Sequence, residues 1–223
     1  PITKNSMGRF SDQVHLSIAG FTKNVIYSNL QISQKMADHH YFSFTWHYSG
    51  QVKIDAMDQA DDTSRYMSSE VIFTFKVNGI KLMSKGIITG LGINYLKGAP
   101  DGFQVRGVSH TIILDETPKS RVFLEKNLQQ IACDVFDEEM SDEFYQRNAI
   151  QPTYKKTFDH LTQYNESNFD FMKRIAARYG QWFYFDGMRM QFGQIKSSNV
   201  KLINNVSIHK FTIENQLASH KAS

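Results

Sequence analysis

A chain of 223 residues with 41% hydrophobic, 13% aromatic and 21% charged side chains can bury a sizeable core, which excludes the disordered and membrane-embedded classes. Its 25 basic and 22 acidic residues leave a formal charge of +3, too balanced a field to steer the protein onto nucleic acid or anionic lipid. The single cysteine, Cys133, excludes an intramolecular disulfide and a multi-cysteine zinc site, so stability must come from packing or oligomerisation.

No run of the sequence approaches the ~20 apolar residues that cross a bilayer, and Pro1-Ile2-Thr3-Lys4 does not open a signal peptide. Stable membrane insertion is therefore not expected, and export would use another route. With 17 Phe and 10 Tyr against 4 Pro and 13 Gly, the composition favours β structure, because branched and aromatic side chains pack well on a pleated surface.

In chain order, Gln13 to Ile18 alternates, with Val14, Leu16 and Ile18 on one face, the period of a half-buried strand. Asn24 to Ile32 is the next expected strand, and Tyr41 to Tyr48 the third, with Phe42, Phe44 and Trp46 sharing a face. Residues 55–69 are polar, carry Asp58, Asp61 and Asp62, and read as a long loop. Glu70 to Val77 and Ile80 to Lys85 flank Asn78-Gly79, a dipeptide suited to the two positive φ angles of a type I′ hairpin. Gly86 to Tyr95 and Phe103 to Leu114 are two more expected strands, separated by the turn formers of Lys97 to Gly102. Six or seven short strands imply a barrel or sandwich. Gly90 and Gly92 would suit a coiled sheet or a close backbone contact.

After Pro118 the period changes. Leu128, Ile131, Ala132, Val135 and Phe136 fall at helical spacing behind a capping Asn127. Residues 153–164 read as a strand. Ser167 then caps a helix, Asp170 complements its positive end and Gly180 stops it, with Phe169 or Phe171, Met172, Ile175, Ala176 and Tyr179 as the buried stripe. Gln181 to Phe185, Asp186-Gly187 and Met188 to Gly193 form a second hairpin, and Val200 to Ile203 and Ser207 to Ile213 are further strands.

The run Gln163-Tyr164-Asn165-Glu166-Ser167-Asn168-Phe169-Asp170-Phe171, then Arg174-Ile175, Tyr179-Gly180 and Phe183-Tyr184-Phe185, resembles the signature of the VgrG and phage late-control-D family. Arg121-Val122-Phe123 with Leu128 to Ile131 is similar to the family's helix before that signature. Asn168 stands where the family often has Asp, a change that barely alters helix capping.

The resemblance implies a mainly β fold: a barrel-like tube domain of the phage tail hub type over residues 1–115, an α/β segment carrying the signature over 116–190, and the start of a second β domain over 191–223. It reads as a fragment or shortened hub, since no needle repeat follows Ser223. The implied role is structural and not enzymatic: a homotrimeric ring joining a hexameric, Hcp-like tube protein to the spike of a type VI secretion or phage-tail machine. Further implied partners are baseplate and effector proteins. Such a protein assembles in the bacterial cytoplasm and is ejected without a signal peptide. The ring is expected to bury more than the ~2,000 Å² of obligate contacts. The signature residues Gln163, Tyr164, Glu166, Ser167, Phe169, Asp170, Phe171, Arg174, Gly180 and Phe183 are implied to be structural.

Other chemistry is thinly supported, and no cofactor or metal is expected. His39-His40 read as solvent-facing residues at a strand start, because adjacent histidines point to opposite faces. Asp58, Asp61 and Asp62 lack the glycine and terminal glutamate of a calcium loop. Cys133 has no neighbouring histidine or Cys-x-x-Cys partner in the sequence and reads as packing. The alternatives left open are a monomeric carbohydrate-binding module and a glycoside hydrolase using two of the 22 acids.

Overall fold

The computed structural model describes residues 14–47, 64–77 and 80–194. Asn78-Gly79, the three aspartates of the polar loop and the strands expected beyond Gln194 lie outside those residues.

Six strands form one antiparallel sheet: β1 (Val14–Ile18), β2 (Ile26–Ser33), β3 (Tyr41–His47), β4 (Glu70–Val77), β5 (Ile80–Leu96) and β6 (Ala99–Val108). Their spatial order is β1-β4-β5-β6-β3-β2. Strand β4 pairs with β5 in a register that sets Val77 opposite Ile80, the register that a two-residue connection imposes. The sheet curls until its edges meet, where the Tyr27 hydroxyl of β2 donates to the Val14 carbonyl of β1 at 2.6 Å. Leu16, Phe44, Val71, Phe73, Ile88 and Val105 fill the concave face.

Four expectations for this half change. Residues 80–85 and 86–95 are one 17-residue strand, β5. The turn after it is only Lys97 and Gly98, at φ 51° and 82°, the left-handed pair of a tight hairpin, so residues 99–102 belong to β6. Strand β6 stops at Val108, and His110–Asp115 is a 3₁₀ turn. The glycines that the packing requires are Gly86, Gly102 and Gly107, not Gly90 and Gly92. A Cβ on Gly107 would stand 2.0 Å from Phe42 Cζ and 2.3 Å from the Ile87 carbonyl oxygen, whereas one on Gly92 would meet nothing within 4 Å.

Beyond the 3₁₀ turn come β7 (Lys119–Asn127), α1 (Leu128–Glu139), β8 (Tyr145–Gln151), β9 (Thr157–Glu166), α2 (Asn168–Arg178), β10 (Trp182–Phe185) and β11 (Met190–Gly193). Strands β7 and β9 make an antiparallel ribbon, while β11 lies between an antiparallel β10 and a parallel β8. The expected strand over 153–164 is β9, shifted to Thr157–Glu166. The second hairpin has a four-residue connection: Asp186 Oδ1 accepts from the Met188 and Arg189 N–H groups, both at 2.8 Å, and delays the return strand to Met190. Neither β7 nor β8 was expected. A second core of Leu128, Ile131, Val135, Phe136, Phe171 and Ile175, among others, sits between the helices and these strands.

Both helices are written by their caps. Asn127 and Gln130 form a reciprocal capping box at the start of α1, with both bonds at 3.0 Å. Helix α2 opens on Ser167 Oγ accepting from the Asp170 N–H at 3.0 Å. It closes with Gly180 at φ 62° and the Gln181 N–H on the Ala176 carbonyl at 2.8 Å, the six-to-one bond of a Schellman ending.

Candidate functional site

The signature residues meet at the corner where β9 turns into α2. Gln163 is fully buried, and its Nε2 donates to the Glu166 carbonyl and to Asn168 Oδ1, both at 3.0 Å. Its Oε1 accepts from Arg121 Nε of β7 at 2.8 Å, and Arg121 Nη2 donates to Asn168 Oδ1 at 2.8 Å. The remaining guanidinium nitrogen reaches Glu138 of α1 at 2.5 Å. Burial pushes the Glu138 carboxyl up, but bonds from Lys119 and Arg121 outweigh it and hold the group below the usual carboxylate range. One arginine thus joins strand, corner and helix, using the planar fork that suits several acceptors at once.

On the other side of the corner, Arg174 donates to both Glu166 oxygens, at 3.0 and 2.5 Å, and to the Thr162 carbonyl at 2.9 Å. Phe171 is buried and stacks on Phe123 at 5.5 Å. Phe169 packs 5.1 Å from Phe183, and both are buried. Gly180 ends the helix, and Asp170 contributes its N–H to the cap.

Asn168 departs from the sequence-based expectation. It is wholly buried and serves as the acceptor shared by Arg121 and Gln163, not as a capping substitute; its Nδ2 has no partner among the described residues. The sequence shows a cap because Ser167 stands next to it. The fold buries it because Arg121 of β7 and Gln163 of β9 close over the first turn of α2.

Tyr164 is turned out, at 79% exposure. It lies on the solvent face of the β7–β9 ribbon, which also carries Val122 at 53% and Leu124 at 63% exposure. Strand alternation explains the arrangement: Arg121 and Phe123 face inward, and Val122 and Leu124 outward. A ribbon apolar on both faces has one face more than its own core needs.

His39 and His40 are buried, at 5% and 6% exposure, and do not face solvent. Both side chains are enclosed because β3 starts where the α/β part packs onto the sheet. His39 Nδ1 lies 2.7 Å from Thr111 Oγ1, and its ring centroid is 4.0 Å from that of Phe169. The His40 ring is 5.4 Å from Phe185. Cys133 is likewise buried, and burial pushes its thiol pKa up, away from the low values of reactive cysteines. Among the described residues, no three His, Cys, Asp or Glu side chains are grouped to hold a metal ion, and no helix is long and apolar enough to cross a membrane.

The phage tail baseplate hub (GPD) family model matches residues 46–201 of this chain. No curated protein matches the sequence. Among solved structures, the chain is similar to the E. coli c3393 protein, a type VI secretion component described as resembling the T4 tail proteins gp27 and gp5. The TM-score is 0.61 at 15% identity, over 83% of this chain and 50% of that one. A tail protein from Neisseria meningitidis MC58 gives 0.55 at 12% identity, over 80% and 49%. The Francisella PdpA-VgrG complex gives 0.51 at 11% identity, over 82% and 31%. The chain therefore spans half or less of the length of these structures, and the likeness establishes a shared fold.

Proposed function

This chain belongs to the phage tail baseplate hub (GPD) family, and from that premise we propose that it forms a homotrimeric ring joining a hexameric tube protein to the spike of a contractile injection machine. The coarser statement, a hub-like structural protein of phage-tail and type VI type, follows from the family and the fold together. In the finer reading, residues 1–115 are a tube-facing barrel, 116–190 the α/β connector and 191–223 the start of a second β domain. Baseplate and effector proteins are further partners. The protein is assembled in the cytoplasm and leaves with the particle.

The observation that best supports a mechanical role is how the signature is used. Gln163, Glu166, Ser167, Phe169, Phe171, Arg174 and Phe183 tie the β9–α2 corner to β7, to the first turns of α2 and to the core. A rigid corner transmits load, because a packed, hydrogen-bonded interior deforms little. Tyr164 instead leads an exposed apolar face with Val122 and Leu124, and this reading gives that face to the neighbouring protomer. Light scattering of the complete gene product tests it. The expected mass is three copies at micromolar concentration; a monomer at every concentration contradicts the ring.

A further inference from the structure

Three histidines of the sheet half each lie against a phenylalanine of the α/β part. His39 stands 4.0 Å from Phe169 of α2, His40 5.4 Å from Phe185 of β10, and His110 4.0 Å from Phe144 just before β8. Beside these rings, two backbone bonds cross the same boundary: the Ala37 N–H donates to the Phe183 carbonyl at 2.9 Å, and the Lys85 N–H to the Gly187 carbonyl at 2.8 Å. Lys85 also pairs with Glu143, next to Phe144. We propose that this boundary is a proton-sensitive clasp, in which neutral His40 holds the sheet and the α/β part together and its protonation loosens them.

The surroundings of each ring carry the argument. His40 is 6% exposed, its N–H donates to Ser109 Oγ at 3.0 Å, and its Nδ1 has no partner among the described residues. A second proton there would be buried without an acceptor, a costly arrangement. The charged groups facing it are Asp186 from the β10–β11 connection and Asp38 before β3, with His39 adjacent. Both carboxylates are already engaged: Asp38 by the His39 N–H, and Asp186 by Met188, Arg189 and Gln191. Burial prevails over these carboxylates and brings His40 down to about 4.

His110 faces Glu70 of β4, with Nε2 3.2 Å from Oε2, together with Glu143 and Lys85. Burial again holds its pKa below the ordinary imidazole value, although Glu70 opposes the shift. His39 differs, because it has an oxygen beside each nitrogen, Thr111 Oγ1 at 2.7 Å and Asp115 Oδ2 at 3.4 Å. His39 and His110, each with a carboxylate oxygen beside Nε2, are the fixed side of the clasp.

Hydrogen exchange of the full chain between pH 7 and pH 5, corrected for intrinsic rates, tests the clasp at the Ala37 and Lys85 amides. Their protection falls by up to about tenfold per pH unit as His40 titrates, while the amides of β3 keep theirs. The variant His40→Gln flattens that dependence, whereas His110→Gln leaves it in place. If the His40 variant does not fold, carbon-13 titration of the wild-type His40 imidazole against the same amides provides the second measurement. Crossing amides that stay protected to pH 5, or that open only together with β3, would overturn the proposal.

Discussion

Asn168 sets the first prediction. Its Oδ1 accepts two bonds while its Nδ2, buried beside them, has no partner among the described residues. A carboxylate there would keep both acceptor contacts and add charge opposite Arg121, and bonds to charged groups contribute roughly 1.5–3 kcal/mol before desolvation is subtracted. Asn168→Asp is expected to raise stability at pH 7 by about 1 kcal/mol in urea unfolding, a gain that disappears as the pH falls through the carboxylate range. Gln163→Leu acts in the opposite direction, stranding Arg121 Nε and the Glu166 carbonyl at a cost of about 2–3 kcal/mol. His40 adds a pH term. Its folded value of about 4 lies below the ordinary 6.5, so the unfolded chain binds the extra proton first. Stability is then full above pH 6.5 and declines toward pH 4, by about 3 kcal/mol in total; the urea midpoint against pH, compared with His40→Gln, checks this. The sequence made Gln163 visible only through its family resemblance, since nothing in the order of letters shows that a glutamine is wholly buried. His39 and His40 were misjudged for the same reason: the α/β part that covers them is far away in the chain.

At the scale of elements, the caps were legible because they are local. Asn127 opens its helix, and Ser167 and Gly180 bracket theirs to within a residue. Asn127→Ala removes one side of the box and is expected to cost about 1 kcal/mol in thermal unfolding. Strands β7 and β8 were not legible. Strand β7 puts Val122 and Leu124 outward and the charged Arg121 inward, and β8 is mostly polar, so neither shows apolar-in alternation. That anomaly in β7 has a use in the ring. Replacing Val122, Leu124 and Tyr164 together by Ser removes an apolar face that folding does not require. The triple variant is expected to shift the mass toward one copy, with the melting temperature changed by only a few degrees. A trimer that persists in this variant moves the protomer contact elsewhere on the molecule.

On the scale of the whole molecule, strand alternation and the Asn-Gly dipeptide yielded a β-rich protein with a curled sheet. Closure of that sheet by Tyr27 on Val14, and the steric demand of Phe42 on Gly107, come from residues far apart in sequence and emerge only in three dimensions. Gly107→Ala is accordingly expected to destabilise the sheet by about 3 kcal/mol or to prevent folding, seen as a lowered urea midpoint. The family assignment rests on 46–201 and the ring on the use made of the signature. Electron microscopy of the complete gene product mixed with a hexameric tube protein tests the central claim most directly. A threefold density capping the end of the tube is the predicted result; tubes with bare ends beside free monomer would contradict it.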